Sequence, residues 1–273
     1  MWLNVPMPSI KISYSNENLR ADAESLAAKL GLGLQLSSGD EKVMAKADYL
    51  LTFKPSGLCL ESTQQGGHGP IRCDFDSGTI THRRKYGGGN GQSIAKAVGI
   101  SGKFMPHVLD LTAGMGSDGF VLAGLGCRLT LLERNSIVYS LLYDGLQRAS
   151  LAGMGDSGLA EVVARIDLLE ADSLTYLQSL ESAQLPDVIY IDPMFPARKK
   201  SAKVKKEMQV FHGIVGADED AAELLALALQ RVKYRVVVKR SAAAGHLGEM
   251  APSYSREGKT TRFDVYALHR LPS

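Results

Sequence analysis

The sequence predicts an α/β fold, a mostly parallel sheet covered by helices on both faces, with a small α+β unit before it. Three observations predict it. After Pro106, short apolar and β-branched runs alternate with stretches of helical spacing. One of those runs ends in a glycine turn, Gly114-x-Gly116-x-x-Gly119, that opens into a helix. Before residue 100 the texture is different, with short strands broken by turn residues and no such alternation.

In order along the chain, residues 9–14 alternate as a strand does, and residues 19–30 carry apolar side chains at helical spacing. Residues 48–53 and 57–61 read as two strands joined by the turn Pro55-Ser56-Gly57. Residues 108–112 form an apolar run that leads into the glycine turn, followed by a helix through 120–124. Residues 128–133 are a buried-strand pattern and 136–150 a helix. Strands follow at 166–170 and 188–192, a helix at 218–231, a β-branched strand at 234–238 and a last strand at 263–268. Strands that alternate with helices imply right-handed crossovers. Ligands of such sheets sit beyond the carboxyl ends of the strands, so the residues just after each strand matter most. The chain is read as a small domain, 1–80, and a larger one, 81–273.

Composition excludes several classes. With 45% hydrophobic and 22% charged residues in a 273-residue chain, there is enough apolar surface for a core. The formal net charge is +2, from 31 basic and 29 acidic residues, so any nucleic-acid footprint must be local. Cys59, Cys73 and Cys127 form no C-x-x-C pair, which argues against a disulfide framework or a cysteine zinc site. The six histidines form no H-x-x-x-H or H-E-x-x-H, so no metal is expected. No apolar run approaches the ~18 residues of a membrane span, and the first residues lack a basic leader. The expectation is a protein of the reducing cytoplasm, with no membrane partner.

Two strand ends carry chemistry. Asp110 precedes the glycine turn in a D-x-x-x-G-x-G order, and the helix after it starts at Ser117-Asp118. Glycines allow the backbone to approach a ligand, and a helix start offers free N–H groups. Glu133 ends the next strand, where a carboxylate can accept both hydroxyl protons of a ribose. A carboxylate at Asp110 suits a cationic ligand end, such as an amino-acid ammonium, better than a pyrophosphate. This resembles the first motif of S-adenosylmethionine-dependent methyltransferases.

The second strand end is Asp192-Pro193-Met194-Phe195-Pro196. The Asp192 carboxylate and the Pro193 carbonyl can accept the protons of an exocyclic amine, and Phe195 offers a face for a base. The segment resembles the [DN]-P-P-[YFW] loop of methyltransferases that act on such amines, with Met194 where a second proline usually stands. Basic residues cluster nearby in sequence: Arg83, Arg84 and Lys85 before Gly87-Gly88-Gly89, and Arg198, Lys199, Lys200, Lys203, Lys205 and Lys206 after the Phe195 loop. They are candidate phosphate contacts. Asp172-Ser173 follows the third strand as a helix N-cap, or as a contact to an adenine edge.

Taken together, HRRKYGGGNGQSIAKAVGI, VLDLTAGMGSDGF, LLERN, IDPMFP, KVKKEM, RVVVKR and RFDVYAL resemble the bacterial small-subunit ribosomal RNA guanine-N2 methyltransferase J family, over residues 80–268. The resemblance implies a Rossmann-like class I methyltransferase fold with a seven-stranded sheet. It implies S-adenosylmethionine as cofactor, held at Asp110, Gly114, Gly116, Ser117, Asp118, Glu133, Arg134, Asp172, Ser173 and Asp192. Its reaction is methyl transfer to the N2 of a guanosine in small-subunit (16S) ribosomal RNA, with Asp192, Pro193 and Phe195 acting on the base. Three other readings stay open at this point. They are an NAD-dependent oxidoreductase, which explains Glu133 but not Asp192, a DNA amino-methyltransferase, and a non-catalytic RNA-binding assembly factor.

Overall fold

The computed structural model describes residues 8–36, 47–64, 69–75, 93–193, 214, 220–258 and 260–272. Two compact units make up the chain. One is built mainly on the residues up to Cys73, and the other on Asp74–Tyr139, Leu146–Pro193 and Asp218–Ser273.

In the first unit, β1 (Ile10–Tyr14), α1 (Arg20–Leu30) and β2 (Leu34–Leu36) form a β-α-β crossover, and β3 (Tyr49–Lys54) and β4 (Gly57–Ser62) form a hairpin. The four strands lie in the order β2-β1-β3-β4, with β1 parallel to both its neighbours and β3 antiparallel to β4. Small buried residues on α1, Ala23 and Ala27, let the helix lie close to its packing partners. The three-residue strand β2 is too short for an alternating pattern to register in the sequence.

The second unit contains α2 (Ser93–Val98), β5 (His107–Asp110), α3 (Ser117–Gly124), β6 (Arg128–Glu133) and α4 (Ser136–Ala152) apart from its stretch Ser140–Gly145. It continues with α5 (Ser157–Val163), β7 (Ile166–Glu170), α6 (Ser173–Ser179) and β8 (Val188–Ile191). It ends with α7 (Ala221–Ala228), β9 (Arg235–Ser241), β10 (Tyr254–Glu257) and β11 (Thr261–Ala267). The seven strands are ordered β10-β11-β9-β8-β5-β6-β7. Strands β5 to β9 pair in parallel, while β11 and β10 add an antiparallel edge. The expected α/β fold with a mostly parallel seven-stranded sheet is therefore present.

The central strands explain their own composition. All four residues of β8 are buried, as a strand covered on both faces requires, so it reads as a continuous apolar run. Leu109, Ile189, Ile191, Val236 and Val238 from the sheet pack with Leu177, Leu224, Leu225 and Ala228 from α6 and α7 into one core. Helix α7 is shorter than its apolar pattern, which extends to residue 231. Strand β10 gave no apolar signal because all four of its residues are exposed. Among the described residues, no helix is long and apolar enough to cross a membrane.

The connections decide where a ligand belongs. From β5 the chain moves outward through β6 to β7, then returns to place β8 on the other side of β5. The strand order reverses between β5 and β8, and the crevice beyond their carboxyl ends is the natural binding site of such a sheet. Asp110 and Asp192 stand at those two ends.

Candidate active site at the strand ends

The glycine turn between β5 and α3 is built as its residue types require. Gly114 (φ 54°) and Gly116 (φ 71°) both take left-handed backbone, which a side chain makes costly. Gly116 is the N-cap of α3, and no side chain caps the helix start. Gly119 has a different role. A Cβ there would come within 2.7 Å of Leu131 Cδ2 on β6, so its absence lets α3 lie tightly on the sheet. Gly119→Ala is expected to cost ~1–3 kcal/mol through overpacking, read as a lower midpoint in denaturant with an unchanged slope.

Glu133, at the end of β6, is buried and braces this turn. Its Oε2 accepts from the Gly114 N–H at 2.9 Å and its Oε1 from the Asn135 N–H at 2.8 Å. Asn135 then caps α4 by accepting from Ile137 and Val138. The expected ribose acceptor thus stands at a strand end as a fixed carboxylate.

A second cluster joins β5, α3, β8 and β9. The Lys239 ammonium lies 2.7 Å from Asp118 Oδ2 and 2.8 Å from Asp192 Oδ2. Tyr190, buried in β8, donates its hydroxyl to the same Asp118 oxygen at 2.8 Å. The Asp192 N–H donates to Thr112 Oγ1 at 2.7 Å, and the Thr112 N–H donates to Asp110 Oδ1 at 2.9 Å. Burial works to lower the Lys239 pKa, but the Asp192 and Asp118 carboxylates outweigh it and hold the ammonium protonated well above the usual lysine range. Burial, with Asp118 and Asp192 beside it, pushes the Tyr190 phenol up.

Asp110 is fully enclosed. Burial pushes its pKa up to about 7, against the Thr112 N–H that favours the anion, with Asp118 and Asp192 adding to the rise. A carboxyl whose folded pKa lies above its unfolded one contributes stability that is complete at acid pH and is lost as the pH rises through the folded value. Asp110→Asn is therefore expected to raise the melting temperature of the ligand-free protein at pH 8 and to leave it nearly unchanged at pH 4. Thermal melts at the two pH values check this.

The remaining expected residues are placed as follows. Ser117 is exposed at the first position of α3. Arg134 pairs with Asp220 at 2.7 Å, which ties the turn after β6 to the start of α7. Asp172 caps α6, accepting from both the N–H and the hydroxyl of Thr175 at 2.9 Å. The Ser173 hydroxyl donates to the Leu111 carbonyl at 2.6 Å. Pro193 is buried. Phe195 and the basic residues Arg83, Arg84, Lys85, Arg198, Lys199, Lys200, Lys203, Lys205 and Lys206 lie outside the described residues.

Comparison with known proteins finds relatives over nearly the whole chain. A family model of SAM-dependent methyltransferases matches residues 35–268. A ribosomal RNA small subunit methyltransferase J from Cellvibrio japonicus is 50% identical over 97% of this chain and 100% of its own length. The chain belongs to the ribosomal RNA small subunit methyltransferase J family. Another member, from Coxiella burnetii, is 45% identical over 95% of this chain and 97% of its own. A crystal structure of a SAM-dependent methyltransferase from Neisseria gonorrhoeae is 35% identical, with a TM-score of 0.69, over 94% of this chain and 95% of that one.

Membership in the methyltransferase J family makes this chain an S-adenosylmethionine-dependent methyltransferase and sets aside the NAD-dependent and non-catalytic readings. The structure adds three residues to the site that the motifs did not single out: Thr112, Tyr190 and Lys239. Tyr190 and Thr112 are unremarkable inside a strand and a turn. Lys239 did carry a signal, since it is the charged residue directly after the β-branched run 234–238.

Proposed function

We propose that this protein methylates the exocyclic N2 of a guanosine in small-subunit ribosomal RNA, in the cytoplasm where that RNA is assembled. The observation that carries the reading is that Asp192, beside a buried Pro193, joins one hydrogen-bonded network with Asp118 at the start of α3. An amine-accepting hook and a donor-binding turn thereby share one rim. The name of the Cellvibrio japonicus relative supports the choice of RNA.

The residues at these strand ends fit S-adenosylmethionine. The uncapped start of α3 offers N–H groups from Ser117 and Asp118 to a carboxylate, and the glycine turn at Gly114 and Gly116 lets a ligand approach the backbone. Asp110, enclosed at the end of β5, would act on a bound ammonium through its charge and not by direct exposure, and Glu133 stands where ribose hydroxyls would bind. Arg134, Asp172 and Ser173 border the same strand ends, Asp172 and Ser173 chiefly by setting the backbone after β7 through their cap and carbonyl bonds. When bound, the group supplies a methyl carbon made electrophilic by a sulfonium.

The protein's own task is to make a poor nucleophile available. The lone pair of a guanine N2 is delocalised into the ring. Asp192 and the Pro193 carbonyl accept hydrogen bonds from its two N–H groups, which favours a pyramidal nitrogen, and the one proton released on methylation passes to Asp192. Asp192 need not be a strong base, because the proton becomes acidic only as the new bond forms. Phe195 holds the plane of the base by stacking, worth ~1–3 kcal/mol. A base inside a helix must first be extruded to reach this rim. Positioning of this kind accounts for most of the rate gain, on the order of 7–11 kcal/mol for well-oriented reactants.

Mass mapping of small-subunit ribosomal RNA from cells with and without the protein tests this function. One N2-methylguanosine is expected to disappear with the protein and return on complementation. An unchanged map refutes the proposal.

A further inference from the structure

We propose that Lys239 is a positioning residue for methyl transfer, whose ammonium clamps the Asp192 carboxylate to Asp118 so that the acceptor hook and the donor-binding helix form one rigid rim. The inference rests on the reading of Asp192 as the acceptor of the amine protons.

Sheet register brings the clamp together. Strand β8 pairs in parallel with β9, with Ile191 opposite Val238, so Asp192 and Lys239 are the next residues along each strand. A side chain that has just left a strand keeps its rotamer freedom unless something holds it. At least two restraints hold Asp192. Its N–H is bonded to Thr112 Oγ1, which fixes the backbone at the end of β8 relative to the turn after β5. Its carboxylate is held by Lys239 at 2.8 Å, and the same ammonium reaches Asp118 at 2.7 Å. Asp118 is fixed in turn by the Tyr190 hydroxyl. An ammonium suits this bridge because it is a compact charge with three rotatable donors.

Charge makes the same case. Among the described residues, Asp110 from β5, Asp118 from α3 and Asp192 after β8 are three carboxylates near the Lys239 ammonium, with the neutral Tyr190 hydroxyl beside them. Like charges this close oppose one another's ionisation, and Lys239 offsets that opposition. Without it, Asp110 and Asp192 hold protons to higher pH. A protonated Asp192 has less acceptor capacity at the oxygen that must take an amine proton.

Lys239→Met and Lys239→Arg test the clamp in the full chain. Measurements are kcat against pH with ribosomal RNA, S-adenosylmethionine affinity by calorimetry, and the titration of the Asp110 carboxyl by carbon NMR in the ligand-free protein. Lys239→Met is expected to lower kcat by about 100-fold with a much smaller change in cofactor affinity. Its acid limb and its Asp110 titration both move to higher pH. Lys239→Arg restores most of kcat and returns both midpoints towards wild type. Should the methionine variant not fold, Lys239→Gln removes the charge while keeping a donor and is read in the same way.

Wild-type kcat in the uncharged variants overturns the proposal. So does a loss of kcat in which neither the acid limb nor the Asp110 titration moves, because that is the mark of a structural role alone. If the wild-type protein places no methyl on guanosine N2, the proposed function fails instead, and the NMR titration still decides whether Lys239 governs the carboxylate cluster.

Discussion

Asp192→Ala is expected to reduce methyl transfer to ribosomal RNA by about a thousandfold or more, because it removes a group that acts mainly as the bond forms. S-adenosylmethionine binding should weaken far less, since Asp110, Glu133 and the start of α3 remain. The variant also leaves Lys239 with Asp118 as its carboxylate partner in this cluster, so the fold of the rim is kept. Radiolabelled methyl transfer and calorimetry on the same preparation separate the two effects. Turnover near the wild-type level would refute the acceptor role, and equal losses in binding and turnover would move Asp192 to the donor side.

The second large effect concerns RNA. Reversing charge at Arg83, Arg84, Lys199, Lys200, Lys203, Lys205 and Lys206 is expected to weaken RNA binding by several hundredfold or more at low salt. For every phosphate that is no longer neutralised, the slope of log K against log salt should flatten by about 0.7–0.9. Cofactor affinity should be unchanged. Filter binding across a salt series checks both quantities, and an unchanged slope would show that these segments do not touch phosphate. Such a large local effect is compatible with a formal net charge of only +2, because the cations are concentrated in two short stretches of sequence.

Much of this could be read before any coordinates. The glycine turn was legible because its requirements are local: left-handed backbone at Gly114 and Gly116, and room for Leu131 beside Gly119. The central strands were legible because burial on both faces leaves an uninterrupted apolar run, as in Val188–Ile191. The cap at Asp172 was legible for the same local reason. Strand β10 was not, because its four residues are exposed and polar or aromatic and so carry no apolar alternation, even though the Ser255 hydroxyl bonds Asp264 on β11. The length of α7 was overestimated, because an apolar pattern does not mark where the backbone stops turning.

What the sequence determined on its own is the alternation of strand and helix, the order of the two motifs, and hence a glycine turn and an Asp-Pro segment at strand ends. These follow from short-range periodicity and from residues that only a tight turn or a strand end tolerates. The tertiary structure alone decided that the two motifs share a rim and what joins them. Lys239 meets Asp118 across 121 residues of chain and Asp192 across 47. Such meetings depend on strand order and register, which no local pattern encodes, and on burial, which gives the charges of the clamp their strength.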